Sequence, residues 1–143
     1  MSSRPAISEK RVAAVQEGKA KRLVRVLIVD DDPLFRLAVA ATLSADERLE
    51  FEVSEAGDGQ ECLNAIASRR PDVVVLDLKM PVLDGVSAAA TIEREWPQVR
   101  VVMLTSSDLA DDRRRAEQAG VEAFVEKARL LEGQLVPLIA GES

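Results

Sequence analysis

The chain has no histidine, no tyrosine, one cysteine, one tryptophan and three phenylalanines in 143 residues. Without histidine, an imidazole-built zinc site or a His-based catalytic constellation has nothing to work with. The single Cys62 excludes an internal disulfide. No apolar run approaches the roughly 20 residues of a membrane span, and the first 22 residues lack the apolar centre of a secretory signal. A reducing, cytoplasmic location is therefore expected, and the length fits one domain.

Charge is unevenly distributed. Residues 1–25 hold seven Lys/Arg against two Glu, a net of +5, whereas residues 26–143 hold twelve against twenty-three acids, a net of −11. Nucleic-acid affinity rests largely on Lys and Arg contacts to phosphates, so an acidic body argues against direct nucleic-acid binding. Residues 1–22 form a basic extension before a folded region at 23–143. Val12, Val15, Lys19 and Arg22 share one side if this extension is helical. It is either a solvated, disordered arm or a helix that docks on a partner or pairs two chains.

From Leu23 onward, short apolar runs alternate with stretches of helical spacing. The expected pairs are Leu23–Val29 with Pro33–Ala45, Phe51–Glu55 with Gly59–Arg69, Asp72–Leu76 with Val86–Trp96, Val99–Leu104 with Leu109–Ala119, and Glu122–Glu126 with Arg129–Ala140. Runs such as Val26–Val29 and Val73–Leu76 are apolar on successive residues, which requires burial of both faces. Parallel strands covered by helices on either side meet that requirement, so the expected fold is a doubly wound α/β sandwich. Asp32 before Pro33 reads as a helix N-cap, and Gly57, Asp58, Gly59 and Gly120 fall where the chain must reverse. Gly133 and Pro137 are expected to interrupt the last helix around Leu131, Leu135, Leu138 and Ile139.

In open sheets of this kind ligands bind beyond the carboxyl ends of the strands. Four such ends carry polar residues: Asp30, Asp31 and Asp32 after the first strand, Asp77 after the third, Thr105 after the fourth and Lys127 after the fifth. Taken singly, Thr105 suits a strand or cap and Lys127 a solvated surface. Together they suggest chemistry. Crowded carboxylates call for a cation, and magnesium suits carboxylate oxygens while keeping several waters. A carboxylate beside magnesium can attack phosphorus to form an acyl phosphate, with a lysine neutralising the developing charge and a hydroxyl bonding a phosphoryl oxygen.

With Val29-Asp30-Asp31, Leu76-Asp77-Leu78-Lys79-Met80-Pro81 running on to Asp84-Gly85, Thr105 and Lys127, the chain resembles the receiver domain of two-component response regulators from Val24 to about Ala140. The resemblance implies a five-stranded parallel sheet in the flavodoxin-like order 2-1-3-4-5. It implies Asp77 as phosphoacceptor, Asp31 and Asp77 as direct magnesium ligands, Asp30 acting through water, and the Lys79 backbone carbonyl completing the protein ligands. Thr105 and the aromatic Phe124 would form the switch, read out on the face of the fourth helix, fifth strand and fifth helix. The implied partners are a sensor histidine kinase or histidine phosphotransfer protein and a downstream protein target, and a homodimer is allowed. Such a chain is a phosphoacceptor, not an enzyme acting on other substrates.

This sequence departs from the family pattern in three places: Ala128 follows Lys127 where many relatives have proline, Phe124 lacks a hydroxyl, and Gly133 and Pro137 lie in the last helix. Lys79 and Ser107 flank the expected approach of water to the phosphoryl group, and Lys79 is a candidate shield. Two other readings stay open at this stage. One is a receiver-fold interaction module working without phosphorylation. The other is a haloacid-dehalogenase-like phosphatase built on Asp30-Asp31-Asp32, which leaves Asp77 unused and finds only Glu132 and Glu142 after the lysine. The start at Met1 and the basic arm favour a stand-alone chain over a receiver taken from a larger regulator.

Overall fold

The computed structural model describes residues 21–80, 82–106, 110–121, 123–129, 133 and 135–141. Five strands, β1 (Arg22–Val29), β2 (Leu49–Ala56), β3 (Val73–Asp77), β4 (Arg100–Thr105) and β5 (Ala123–Glu126), form one sheet in the order β2-β1-β3-β4-β5. Every pairing is parallel, with Val26 beside Val73, Val75 beside Val102 and Leu104 beside Val125. Between and after the strands lie α1 (Pro33–Ser44), α2 (Gly59–Arg69), α3 (Gly85–Glu95), α4 (Ala110–Gln118), the single turn α5 (Lys127–Arg129) and α6 (Leu135–Ala140).

The alternation of side chains along each strand explains why the apolar runs are unbroken. Leu27, Val29, Val74, Leu76 and Met103 face one side, where they pack on Cys62 and Ile66 of α2, Ala88 and Ile92 of α3 and Ala116 of α4. Val26, Ile28, Val73, Val75, Val102 and Leu104 face the other, against Val39 and Leu43 of α1 and Leu135 and Ile139 of α6. Helices therefore cover both faces, as expected of a doubly wound sheet. Burial pushes the Cys62 thiol up to about 12, leaving it an inert packing group.

Three helices begin on an aspartate. The Asp32 side chain accepts from the Leu34 amide at 3.0 Å, Asp58 from Glu61 at 2.8 Å and Asp84 from Ser87 at 2.8 Å, each satisfying an amide that the first turn leaves without a helical partner. Asp32 is thus a cap, as its place before Pro33 suggested.

Several boundaries differ from the sequence reading. β2 is longer than Phe51–Glu55, running from Leu49 to Ala56 because all eight residues pair with Arg22–Val29 of β1. Asp77 lies inside β3, held in register opposite Leu104. Of the final helical stretch, expected over Arg129–Ala140, the described residues show α5 at Lys127–Arg129 and α6 at Leu135–Ala140. Pro137 does not interrupt α6, since it is the third residue of that helix, where a missing N–H breaks no helical bond. Gly133 has φ +91, a left-handed backbone conformation that glycine adopts without the strain a Cβ would bring. Leu131, Ser107 and the arm at residues 1–20 lie outside the described residues.

Candidate functional site

Parallel pairing sends the carboxyl ends of β1, β3, β4 and β5 to one edge, and there the predicted residues meet. Asp30, Asp31, Asp32, Asp77, Leu78, Lys79, Thr105, Ser106 and Lys127 line one cavity. Asp30, Asp77 and Thr105 are buried, whereas Asp31 and Lys79 are exposed at its rim.

The Lys127 ammonium lies between two carboxylates, 2.7 Å from Asp30 Oδ2 and 3.3 Å from Asp77 Oδ2. It donates a hydrogen bond to Asp77, and its contact with Asp30 is a close ion pair without hydrogen-bond alignment. Burial acts against the Lys127 ammonium, but the two carboxylates outweigh it and hold its pKa above the ordinary lysine value. Asp77 is also shifted upward, but for a different reason. Burial, aided by the charge on Asp30, raises its pKa, and Lys127 only partly offsets the rise.

The acids are fixed by backbone as well as by charge. Asp30 Oδ1 accepts from the Asp32 amide at 2.9 Å, and the Asp30 amide donates to Ala56 O at 3.1 Å. Arg36 donates to the Asp30 carbonyl at 2.5 Å and to Glu55 at 2.8 Å, tying α1 to β1 and β2 beneath the cluster. Nothing in the apolar spacing pointed to Arg36 in this role. The loop after Asp77 is anchored by the Leu78 amide on Leu104 O at 2.8 Å and the Gly85 amide on Leu78 O at 2.9 Å. Two glycines let that loop fit: a Cβ at Gly85 would sit 2.1 Å from the Asp77 carbonyl oxygen, and one at Gly59 would sit 2.2 Å from the Leu83 carbonyl oxygen.

Asp30, Asp31 and Asp77 each present a carboxylate oxygen within 4.8 Å of the others. That hard oxygen set, with a buried Asp30 oxygen lacking an aligned hydrogen bond, fits a magnesium-type ion. Phe124 is half-buried on β5 under the Arg113 guanidinium, 4.7 Å from its ring centroid.

A sheet of this order, with an acid pair, a strand-end aspartate, a hydroxyl and a lysine at one edge, defines a receiver fold. The family model of the response regulator receiver domain matches residues 26–136, and the chain belongs to that family of two-component signalling proteins. The response regulator protein VraR of Staphylococcus epidermidis is 35% identical over 104 residues, covering 73% of this chain and 49% of that protein. VraR of Staphylococcus aureus gives the same figures, so the chain spans about half the length of the curated relatives it matches. Among solved structures, the signal receiver domain of the putative response regulator NarL from Mycobacterium tuberculosis matches with a TM-score of 0.73 and 30% identity, over 85% of this chain and 99% of that one. The response regulator domain of Thermotoga maritima CheB shares the fold, with a TM-score of 0.74 at 24% identity over 84% and 96% of the two chains.

Among the described residues, no helix is long and apolar enough to cross a membrane.

Proposed function

We propose that the chain is a magnesium-dependent phosphorylation switch that accepts a phosphoryl group on Asp77 from a histidine kinase or histidine phosphotransfer protein. One observation carries this reading: the Lys127 ammonium bridges Asp30 and Asp77 at the edge where β1, β3 and β5 end. That arrangement joins a nucleophile, a cation site and a fixed positive charge within one cavity.

Transfer requires an Asp77 carboxylate oxygen to attack phosphorus while the P–N bond of a phosphohistidine donor breaks. The donor imidazole leaves and keeps its proton, and an acyl phosphate remains on Asp77. Asp30, Asp31, Asp77 and the Lys79 carbonyl would hold magnesium, which supplies charge neutralisation on the phosphoryl oxygens when bound. Lys127 pairs with the transferred group, and buried Thr105 supplies a hydroxyl at the adjoining strand end. Signal leaves through Thr105 and Phe124, whose surroundings have two packings that added charge biases.

Partner docking has support next to the site. Leu34 and Leu37 on α1 and Val82 in the loop after Asp77 are large apolar side chains left exposed, at 74%, 63% and 82%. Exposed apolar groups beside a transfer site suit the helices of a phosphodonor protein. On this reading the chain works in the cytoplasm and signals by protein contact.

The test is uptake from acetyl phosphate and magnesium, read by intact mass. One phosphoryl group is expected on the parent and none on Asp77→Asn, with slowed uptake and weaker magnesium binding for Asp31→Ala. Equal labelling of parent and Asp77→Asn rejects the assignment.

A further inference from the structure

The Lys127 ammonium has a third neighbour besides Asp30 and Asp77. It lies over the Phe35 ring, 4.8 Å from the centroid, within the range of a cation–π contact. Phe35 belongs to α1 and packs half-buried against the sheet face shared by α1 and α6. Its place is held from both sides along the chain. Asp32 caps the helix just before it, and Arg36 just after it is bonded to the Asp30 carbonyl and to Glu55.

The three neighbours are not equivalent. Asp30 and Asp77 are the oxygens that a divalent cation and an incoming phosphoryl group both claim, so their hold on the lysine weakens when the site is engaged. The ring neither ionises nor binds magnesium, and its attraction for the ammonium is unaffected by that competition. We infer that Phe35 is a positioning residue for Lys127: its ring face keeps the ammonium aimed at Asp77 while the carboxylates are shared with the cation. This rests on Asp77 being the phosphoryl acceptor.

The experiment uses the full chain and the variants Phe35→Leu, which keeps apolar bulk, and Phe35→Tyr, which keeps the ring face. In metal-free protein, a ring beneath the lysine shifts the Lys127 ε-methylene protons upfield, and Lys127→Arg identifies that signal among the five lysines. The shifted signal is expected in the parent and in Phe35→Tyr, and at an ordinary lysine position in Phe35→Leu. With acetyl phosphate at saturating magnesium, Phe35→Leu should lower the maximal rate about threefold to tenfold, the span expected of one part-buried cation–π contact. Magnesium affinity should stay at the parent value, and Phe35→Tyr should remain within about twofold of the parent rate. If Phe35→Leu does not fold, Phe35→Met takes its place.

A parent-like signal and rate in Phe35→Leu would overturn the inference. So would a Phe35→Tyr variant as slow as Phe35→Leu, because the loss would then come from packing. A parent chain that takes up no phosphoryl group would overturn the acceptor reading instead, and the lysine signal would still report on the ring contact.

Discussion

Replacing Gly85 with alanine adds one methyl group where the start of α3 and the end of β3 nearly touch. The new Cβ would lie 2.1 Å from the Asp77 carbonyl oxygen and 2.8 Å from both the Leu78 Cα and the Leu78 carbonyl oxygen. All three are backbone atoms, so no side-chain rotation relieves the overlap. Alanine in a helix is favoured over glycine by about 1 kcal/mol. Against this stand an overpacking cost of about 1–3 kcal/mol or more and the loss of the Gly85-to-Leu78 hydrogen bond, about 1 kcal/mol. The net expectation is a loss of about 1–3 kcal/mol, or roughly 3–12 °C in Tm for a chain of this size. Because the displaced carbonyl belongs to Asp77, phosphoryl uptake should slow by about tenfold or more at temperatures where the variant is still folded. Thermal unfolding by circular dichroism and labelling by intact mass measure the two effects. Gly57→Ala is the control, since a Cβ there meets nothing closer than 3.6 Å and should shift stability by no more than about 0.5 kcal/mol. A Gly85→Ala protein that melts at or above the parent temperature would refute the reasoning.

Lys127→Met leaves Asp30 and Asp77 buried without their bridging cation and should cost about 3 kcal/mol in metal-free protein, with magnesium restoring more stability to the variant than to the parent; equal magnesium-induced Tm shifts would contradict this. Asp77 has a raised pKa, so the folded state binds the proton more tightly and its stability falls as pH rises above the ordinary value of 3.8. Without magnesium, Asp77→Asn should therefore melt higher than the parent at pH 7 and lose that advantage below about pH 4, and a lower melting point at pH 7 would count against the buried-charge account. Arg100 donates to the Ile139 carbonyl at 2.7 Å and the Leu138 carbonyl at 2.5 Å, and Arg22 donates to Ala140 O at 2.9 Å, so Arg100→Ala should free the end of α6. The expected cost is about 1–2 kcal/mol, with faster amide exchange confined to α6 and the strand ends beside it; unchanged exchange there would show that the clamp is idle. Lys79→Ala should shorten the lifetime of the phosphorylated form without changing magnesium affinity, and equal decay rates would make that side chain a bystander.

Much of this was readable along the chain because it depends on local rules. Alternating burial on two faces makes Val26–Val29 and Val73–Leu76 continuous apolar runs, and their parallel pairing then puts Asp30, Asp77, Thr105 and Lys127 at one edge. The Asp32 cap needed only its place before Pro33. Pro137 shows the limit of such reading: proline reads as a breaker until the helix start is known, and α6 starts only two residues before it.

What the residues dictated alone was which strand ends carry acid, hydroxyl and amine, since strand period and chain direction follow from neighbouring side chains. Contacts between distant segments were decided only by the tertiary structure. The Phe35 ring reaches Lys127, and Arg113 reaches Phe124, because helix rotation on the sheet aims them there. Gly85 and Gly59 are pressed against carbonyl oxygens of the Asp77 loop because α2 and α3 pack side by side on one face. Each of these depends on distances set by the packed core to within about an ångström, and one-dimensional spacing carries no such measure.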